Sequence, residues 1–360
     1  MTDNNKTRIV VGLSGGGDSS AAASLLVEQG YDVVGITLKV WPQDCVSRAE
    51  DKCCGPQAVM DARSVADKLD IPYYLVDESK EFQRDVIDYF AAEYKAGRTP
   101  NPCVMCNEKL KFGNLIDRAR KLGAEYVATG HYARLEQRDG RTVLLRGRDA
   151  RKDQTYFLFS LGQEQLAHMM FPLGELQKSE TREVARCVDL KTAEKQESQE
   201  ICFVPDKDYK KFLTTAGLVE EHRGEIVDTR GQVLGHHDGI EFYTIGQRKG
   251  LGISSPTPMY VIELDPENNR VVVGGEELLL RDEFRIDRCN WIAFDRLAKP
   301  IEASAAIRYN HPGTEATVIP DENGQATVKL REPQRAVTPG QACVFYQDDL
   351  VVGGGWIMRN

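Results

Sequence analysis

The chain has nothing that reads as membrane-directed. No run of apolar residues approaches the ~18 that a spanning helix needs, and the opening MTDNNKTR is too polar for a signal peptide. The expectation is a cytoplasmic protein. A basic excess is missing as well: 46 Lys and Arg stand against 55 Asp and Glu, a net charge of −9. That argues mildly against a nucleic-acid binder, because phosphate backbones are usually met by basic proteins. Internal repeats and low-complexity tracts are also absent, so neither a repeat array nor a disordered tail is expected. What remains is an ordinary globular composition, 41% hydrophobic and 28% charged over 360 residues, enough for two or three domains.

Local charge departs from the average. Lys109 with Lys111, Arg118 with Arg120 and Lys121, Arg146 with Arg148, Arg151 and Lys152, and Arg248 with Lys249 form basic clusters. Most such clusters are solvated faces, so alone they raise the odds of RNA binding only slightly.

The sharpest feature is Ile9 to Ser20, where an apolar strand runs into Ser14-Gly15-Gly16-Gly17-Asp18-Ser19 and a helix follows. Glycines let a backbone approach an anion closely, and the amides of a helix N-terminus complete a phosphate cradle. Ser14, Ser19 and Ser20 can add hydroxyl donors. The loop lacks the Lys-Ser/Thr pair of Walker A, and Gly15 and Gly17 are followed by Ser20 where a dinucleotide fingerprint has its third glycine. A plain turn capped by Asp18 or Ser19 is the local alternative. The SGGxDS pattern resembles the loop of N-type ATP pyrophosphatases, which implies adenylation of a carbonyl oxygen.

Strand and helix patterns alternate through the first third: strands Arg8 to Leu13, Asp32 to Leu38, Tyr73 to Val76 and Tyr126 to Thr129, helices near 19–28, 57–69, 81–96 and 112–122. This predicts a doubly wound parallel α/β sheet with its ligand at the carboxyl ends of the strands. Thr142 to Arg146 reads as a strand, 163–170 and 179–187 as helices, and 200–204 as extended. Glycine-rich short strands between Glu220 and Gly275 suggest a small central domain, and regularly spaced strands from Glu276 onward a β-barrel. The expected domains are residues 1–218, 219–275 and 276–360.

Nine cysteines complete the inventory. Cys103 and Cys106 form a CxxC in GRTPNPCVMCN, expected as a loop stiffened by Pro100 and Pro102. Cys202 stands in EICF, and Cys45, Cys53 and Cys54 in an insertion after the second strand. Cys187, Cys289 and Cys343 have apolar neighbours and read as small core residues. Cys53, Cys54, Cys103, Cys106 and Cys202 give five thiols that can hold zinc or an iron-sulfur cluster, although adjacent cysteines are awkward ligands for one metal.

SGGGDSS, GRTPNP before a cysteine, ATGHYA, KDQTYFL, EICFV, TIGQRKGLG and TPGQACVFY, in this order and spread over nearly the whole chain, resemble the tRNA-specific 2-thiouridylase (MnmA/TrmU) family. The resemblance implies ATP-dependent 2-thiolation of the wobble uridine of lysine, glutamate and glutamine tRNAs, by adenylation of the uracil C2 oxygen and sulfur transfer from a cysteine persulfide. It assigns Cys106 as nucleophile and Cys202 as persulfide carrier, with a disulfide left when one thiol releases sulfur from the other. It further assigns Gly12, Leu13, Ser14, Gly15, Gly16, Gly17, Asp18, Ser19, Leu38 and Gly130 to ATP. Asn101, Pro102 and Cys103 would lie beside the target base, and His131, Lys152, Asp153, Gln154, Arg308, Tyr309 and Gln341 would contact tRNA. Mg²⁺ is implied as counter-ion, with Asp18 near it, and a cysteine desulfurase or relay protein as sulfur donor. One departure stands out: many members carry Asn-Pro-Asp before the nucleophile, where this chain has Asn101-Pro102-Cys103. A small-molecule synthetase with the same loop, or a non-catalytic RNA- or metal-binding protein, are the competing readings.

Overall fold

A computed structural model describes residues 6–40, 55–187, 201–204, 208–321 and 323–359. They fall into two compact units, one within Met1–Val86, Cys103–Lys207 and Asp349–Val351, the other within Ile87–Pro102, Asp208–Asp348 and Val352–Asn360. Among the described residues no helix is long and apolar enough to cross a membrane.

The first unit is built on five parallel strands. β1 (Arg8–Gly12) leads through a short loop into helix α1 (Gly17–Glu28), then to β2 (Asp32–Lys39), helix α2 (Pro56–Lys68), β3 (Tyr73–Asp77) and β4 (Tyr126–Ala128). A hairpin of β5 (Ala133–Arg138) and β6 (Arg141–Arg146) precedes a two-residue strand β7 (Met169–Met170), and the sheet order is β3-β2-β1-β4-β7. Ile9, Val10 and Val11 are fully buried, as expected of a parallel strand covered on both faces, which needs an unbroken apolar run. Ala23 lets α1 lie close on the sheet among Ile9, Val11, Leu26 and Val33, while Ala21 and Ala22 pack with Tyr132, Leu173 and Ala185. Gly30 ends the helix connection at φ +85°, a conformation that only glycine adopts without strain.

Three sequence expectations are corrected here. Residues 163–170 are not one helix: Gln163–Ala167 is helical, and Met169–Met170 pairs with Val127 and Ala128 as the fifth strand. The described part of 200–204 is a turn, with the Val204 N–H donating to the Ile201 carbonyl. Cys187 is exposed, because it lies at the last turn of the helix Lys178–Cys187, whose buried side is Thr181 and Ala185. Cys343 is fully buried in the core of the second unit and Cys289 packs against that core. Burial pushes the Cys289 thiol up to about 12 and Cys343 higher still.

The second unit holds two sheets. β8 (Gly224–Asp228), β9 (Val233–His237), β10 (Tyr260–Asp265) and β11 (Arg270–Gly274) form one, in the order β10-β11-β8-β9. The other is a closed barrel of β12 (Leu280–Trp291), β13 (Ile301–Ala306), β14 (Thr314–Pro320), β15 (Ala326–Arg335), β16 (Ala342–Gln347) and β17 (Leu350–Ile357), shut by antiparallel pairing of β12 with β17. Its interior is apolar, with Ile286, Val318, Val328 and Phe345 almost inaccessible. The helix Asp88–Lys95 belongs to this unit, with Tyr94 stacked on Tyr209 at 4.8 Å and Phe90 edge-on to Phe212.

Candidate nucleotide and thiol site

Strand order places the glycine loop. From β1 the chain winds outward through β2 and β3, then returns to β4 on the other flank of β1. The switch point between β1 and β4 is where such sheets bind ligands. Gly15 sits there at φ +70°, and a Cβ on it would fall 2.2 Å from the Ala58 carbonyl oxygen of α2. Gly130, just beyond β4, presses on the same loop: a Cβ there would lie 2.7 Å from Asp18 C and Ser19 N. Gly16 caps α1 without any side-chain hydrogen bond, so the helix opens on backbone amides, as an anion site requires.

The loop hydroxyls are turned inward. Ser19 Oγ accepts from the Ser14 N–H at 3.1 Å and donates to the Gly16 carbonyl, which also accepts from Ser20 Oγ at 2.9 Å. These bonds fix the cradle's shape, and its donors to an anion are amides. Thr37 of β2, next to Leu38, donates to the Leu13 carbonyl at 2.7 Å.

Asp18 gathers partners that sequence inspection missed. Lys178 Nζ lies 2.6 Å from Asp18 Oδ1, and the Tyr132 hydroxyl donates to the same oxygen at 2.9 Å. A lysine absent from the loop itself therefore arrives from a helix 160 residues away. The only local signal for it was KSETREVA, an amphipathic run with no motif attached.

The thiols stand on different elements of the first unit. GRTPNPCVMCN is not all loop: Pro102–Met105 is a helical turn and Cys106–Asn114 a π-helix. Proline at the first helical position costs no hydrogen bond and presets φ, so Pro102 starts the helix that the CxxC reading had placed further on. Cys103 is exposed, while Cys106 and Cys202 are half-buried. Cys202 lies in a turn anchored by Phe203, edge-on to Phe82 at 5.7 Å. Among the described residues no group of three or more His, Cys, Asp or Glu side chains is placed to hold a metal ion. Cys103, Cys106 and Cys202 thus form no such centre with one another; Cys53 and Cys54 lie outside the described residues, as does Cys45.

The residues assigned to tRNA are placed unequally. The His131 ring is buried between Phe112 and Phe171, with Nδ1 2.8 Å from Thr129 Oγ1. Burial holds its pKa well below the usual histidine value, with Lys111 adding to the effect, so the ring is a neutral core group. Asp153 is turned into the protein by Arg146 at 2.9 Å and the Gly147 N–H, and Gln154 Oε1 accepts from the Tyr132 N–H. Lys152 is half-exposed.

In the second unit Arg308 and Tyr309 are exposed. Gln341 Nε2 donates to the Thr99 and Pro100 carbonyls, just before Asn101 and Pro102, which are both buried. A cavity of about 370 Å³ is lined by Thr99, Thr244, Arg308, Arg335 and Gln341 among others. One of the basic clusters is spent in ion pairs, Arg118 with Glu78 and Arg120 with Glu164, whereas Arg248 and Lys249 are exposed.

Three family models match in succession: a tRNA methyl transferase HUP domain over residues 7–206, a tRNA methyl transferase PRC-barrel domain over 210–275, and an aminomethyltransferase beta-barrel domain over 281–357. The chain is 50% identical over 353 residues to a tRNA-specific 2-thiouridylase MnmA of Clostridium perfringens, covering 98% of each chain. It is 51% identical over 351 residues to that of Moorella thermoacetica, covering 97% of this chain and 98% of the other. With the Geobacter metallireducens protein of the same name it shares 50% over 362 residues, 99% of this chain and 98% of the relative.

Proposed function

This chain belongs to the tRNA-specific 2-thiouridylase family, and from that premise we propose that it thiolates C2 of the wobble uridine in lysine, glutamate and glutamine tRNAs at the expense of ATP. The observation that carries the reading is half-identity to named thiouridylases across essentially the whole chain. The matching family models are described by methyl transfer, but an amide-lined loop and two half-buried thiols are means of activating an oxygen and moving sulfur.

A uracil carbonyl oxygen is a poor leaving group. Bound ATP supplies the activation of that oxygen, with pyrophosphate and AMP as products. The cradle fits it: the uncapped start of α1 and the glycines at 15 and 130, where a Cβ would strike backbone, leave room and donors for phosphates. Gly12 to Ser19, with Leu38 and Gly130 beside them, would hold the nucleotide. Lys178 brings positive charge to the loop, and Asp18 would help to hold a Mg²⁺ counter-ion that neutralises the phosphates. The terminal sulfur of a Cys202 persulfide attacks C2, the C2–O bond breaks and the oxygen leaves with AMP. The Cys106 thiolate then attacks Cys202 Sγ, the S–S bond breaks, the outer sulfur stays on the base, and a Cys106–Cys202 disulfide remains for external thiols to reduce. A cysteine desulfurase or relay protein would load Cys202, and the work would be cytoplasmic.

Asn101, Pro102 and Cys103 lie beside the base in this reading. Lys152, Arg308, Tyr309 and Gln341 grip RNA, while His131, Asp153 and Gln154 act by shaping the surface from within. We keep three functional parts, residues 1–218 for chemistry, 219–275 as a linker domain and 276–360 as the RNA-contacting barrel, which the limits of the family models support.

The test is an assay with unmodified tRNA, ATP, Mg²⁺ and a persulfide donor, reading thiouridine by mass spectrometry. Wild type is expected to thiolate, and Cys106→Ala and Cys202→Ala to lose persulfide-dependent activity. ATP cleavage to AMP without modified tRNA would instead point to a small-molecule synthetase.

A further inference from the structure

Cys106 opens a helix of unusual gauge. From Cys106 to Asn114 nine residues run as π-helix, and the Leu115 N–H reaches back five residues to the Leu110 carbonyl. Most π-helices are single-turn bulges, frequent at functional sites.

Asn114 Nδ2 donates to Glu78 at 2.6 Å at one end of the segment, and one side chain from outside braces its middle. Gln165 Nε2 donates to the Phe112 carbonyl at 2.8 Å and to the Glu108 carbonyl at 3.1 Å. Those two carbonyls stand four residues apart, the step at which an α-helix would give the Glu108 oxygen to the Phe112 N–H. The other end of the amide is fixed too, because Gln165 Oε1 accepts from the Gly162 N–H at 3.0 Å. Its carrier, the short helix Gln163–Ala167, is latched to β6 by Gln163, which exchanges two hydrogen bonds with the Thr142 backbone. At the thiol end Asn107, 2% exposed, donates from Nδ2 to the Phe157 carbonyl at 3.0 Å.

We propose that Gln165 is a positioning residue for the Cys106 thiol, its amide wedged against the widened turn so that the segment stays π-helical. The inference rests on the reading of Cys106 as the sulfur-releasing thiol. Without the donor, the Glu108 and Phe112 carbonyls lose their shared partner, and closing to α geometry returns the Phe112 N–H to Glu108. That closure swings Cys106 round the helix axis relative to Leu115 and takes its sulfur off line.

The experiment uses the full chain with unmodified tRNA, ATP, Mg²⁺ and a persulfide donor. In Gln165→Leu, single-turnover thiolation should fall about tenfold or more, while tRNA affinity and pyrophosphate release stay within about twofold of wild type, as a misplaced reacting atom demands. Alkylation of Cys106, followed by peptide mass spectrometry against pH, should change in rate while that of Cys202 does not. Gln165→Glu provides a signature that a merely structural role would not move. Its ionised carboxylate is repelled by both carbonyls, which raises its pKa above the ordinary ~4.3, whereas its protonated form can donate to one, so thiolation relative to wild type should rise as pH falls from about 8 to about 5.5. Unchanged thiolation and alkylation in Gln165→Leu, or a pH-independent ratio in Gln165→Glu, would overturn the proposal. If Gln165→Leu does not fold, the ratio for Gln165→Glu decides alone. Full activity of Cys106→Ala would bring down the reading beneath it, whereas an indifferent Gln165 with an essential Cys106 brings down only this inference.

Discussion

Lys178 and Asp18 make a pair whose charges have a use beyond their mutual contact. A loop of amides carries only partial charges; in the proposed reaction departing pyrophosphate would gather negative charge at the loop, beside which Lys178 Nζ stands 2.6 Å from Asp18 Oδ1. Lys178→Met should therefore lower pyrophosphate release by about 100-fold while leaving tRNA affinity within about twofold, the loss typical of one transition-state donor. Partial recovery in Lys178→Arg would mark charge as the active property; a rate equal to wild type in Lys178→Met would refute the role. The pair was illegible in the sequence because nothing links residues 18 and 178 except the fold. His131 shows the converse. Its motif is legible, but burial between two phenylalanine rings turns the imidazole into packing.

At the scale of elements, the glycine loop was the most legible part of the chain, since glycine states a backbone requirement directly. Gly15 needs φ +70°, and Gly130 needs the space that the Asp18–Ser19 peptide occupies. Gly130→Ala should push the start of α1 away from β4, weaken ATP binding by at least tenfold and cost about 1–3 kcal/mol of stability, the usual toll of overpacking. Equilibrium binding of ATP and a denaturant titration would check both figures. That β1, β2 and β3 belong to a parallel sheet was legible from their alternation with helices, since parallel neighbours need a crossover between them. The π-helix was not, since apolar spacing encodes a period near 3.6 and the wider gauge depends on Gln165 from another helix. β7 was missed because two residues give no period to read.

For the whole molecule, a net charge of −9 must coexist with a polyanionic substrate. Binding should therefore rest on a few placed cations, with Arg308 and Arg335 around one cavity and Arg248 and Lys249 exposed on the same unit. Affinity for tRNA should fall steeply with salt, and Arg308→Ala should reduce the slope of log K against log[salt] by about 0.7–0.9, the release expected of one neutralised phosphate. A filter-binding series across salt concentrations measures it, and a salt-independent affinity would remove RNA from the account.

The membership of Ile87–Pro102 in the second unit has a consequence for synthesis on the ribosome. Phe90 and Tyr94 emerge early, yet their ring partners Phe212 and Tyr209 follow more than a hundred residues later, and Trp356, the partner of Tyr89, comes at the very end. A nascent chain that has already made its nucleotide loop therefore carries this aromatic helix without Tyr209 and Phe212 until they are translated, and Tyr89 without its ring partner until the last barrel strand. Chains truncated before those partners should aggregate more readily than the full chain, because exposed apolar surface on an incomplete fold self-associates.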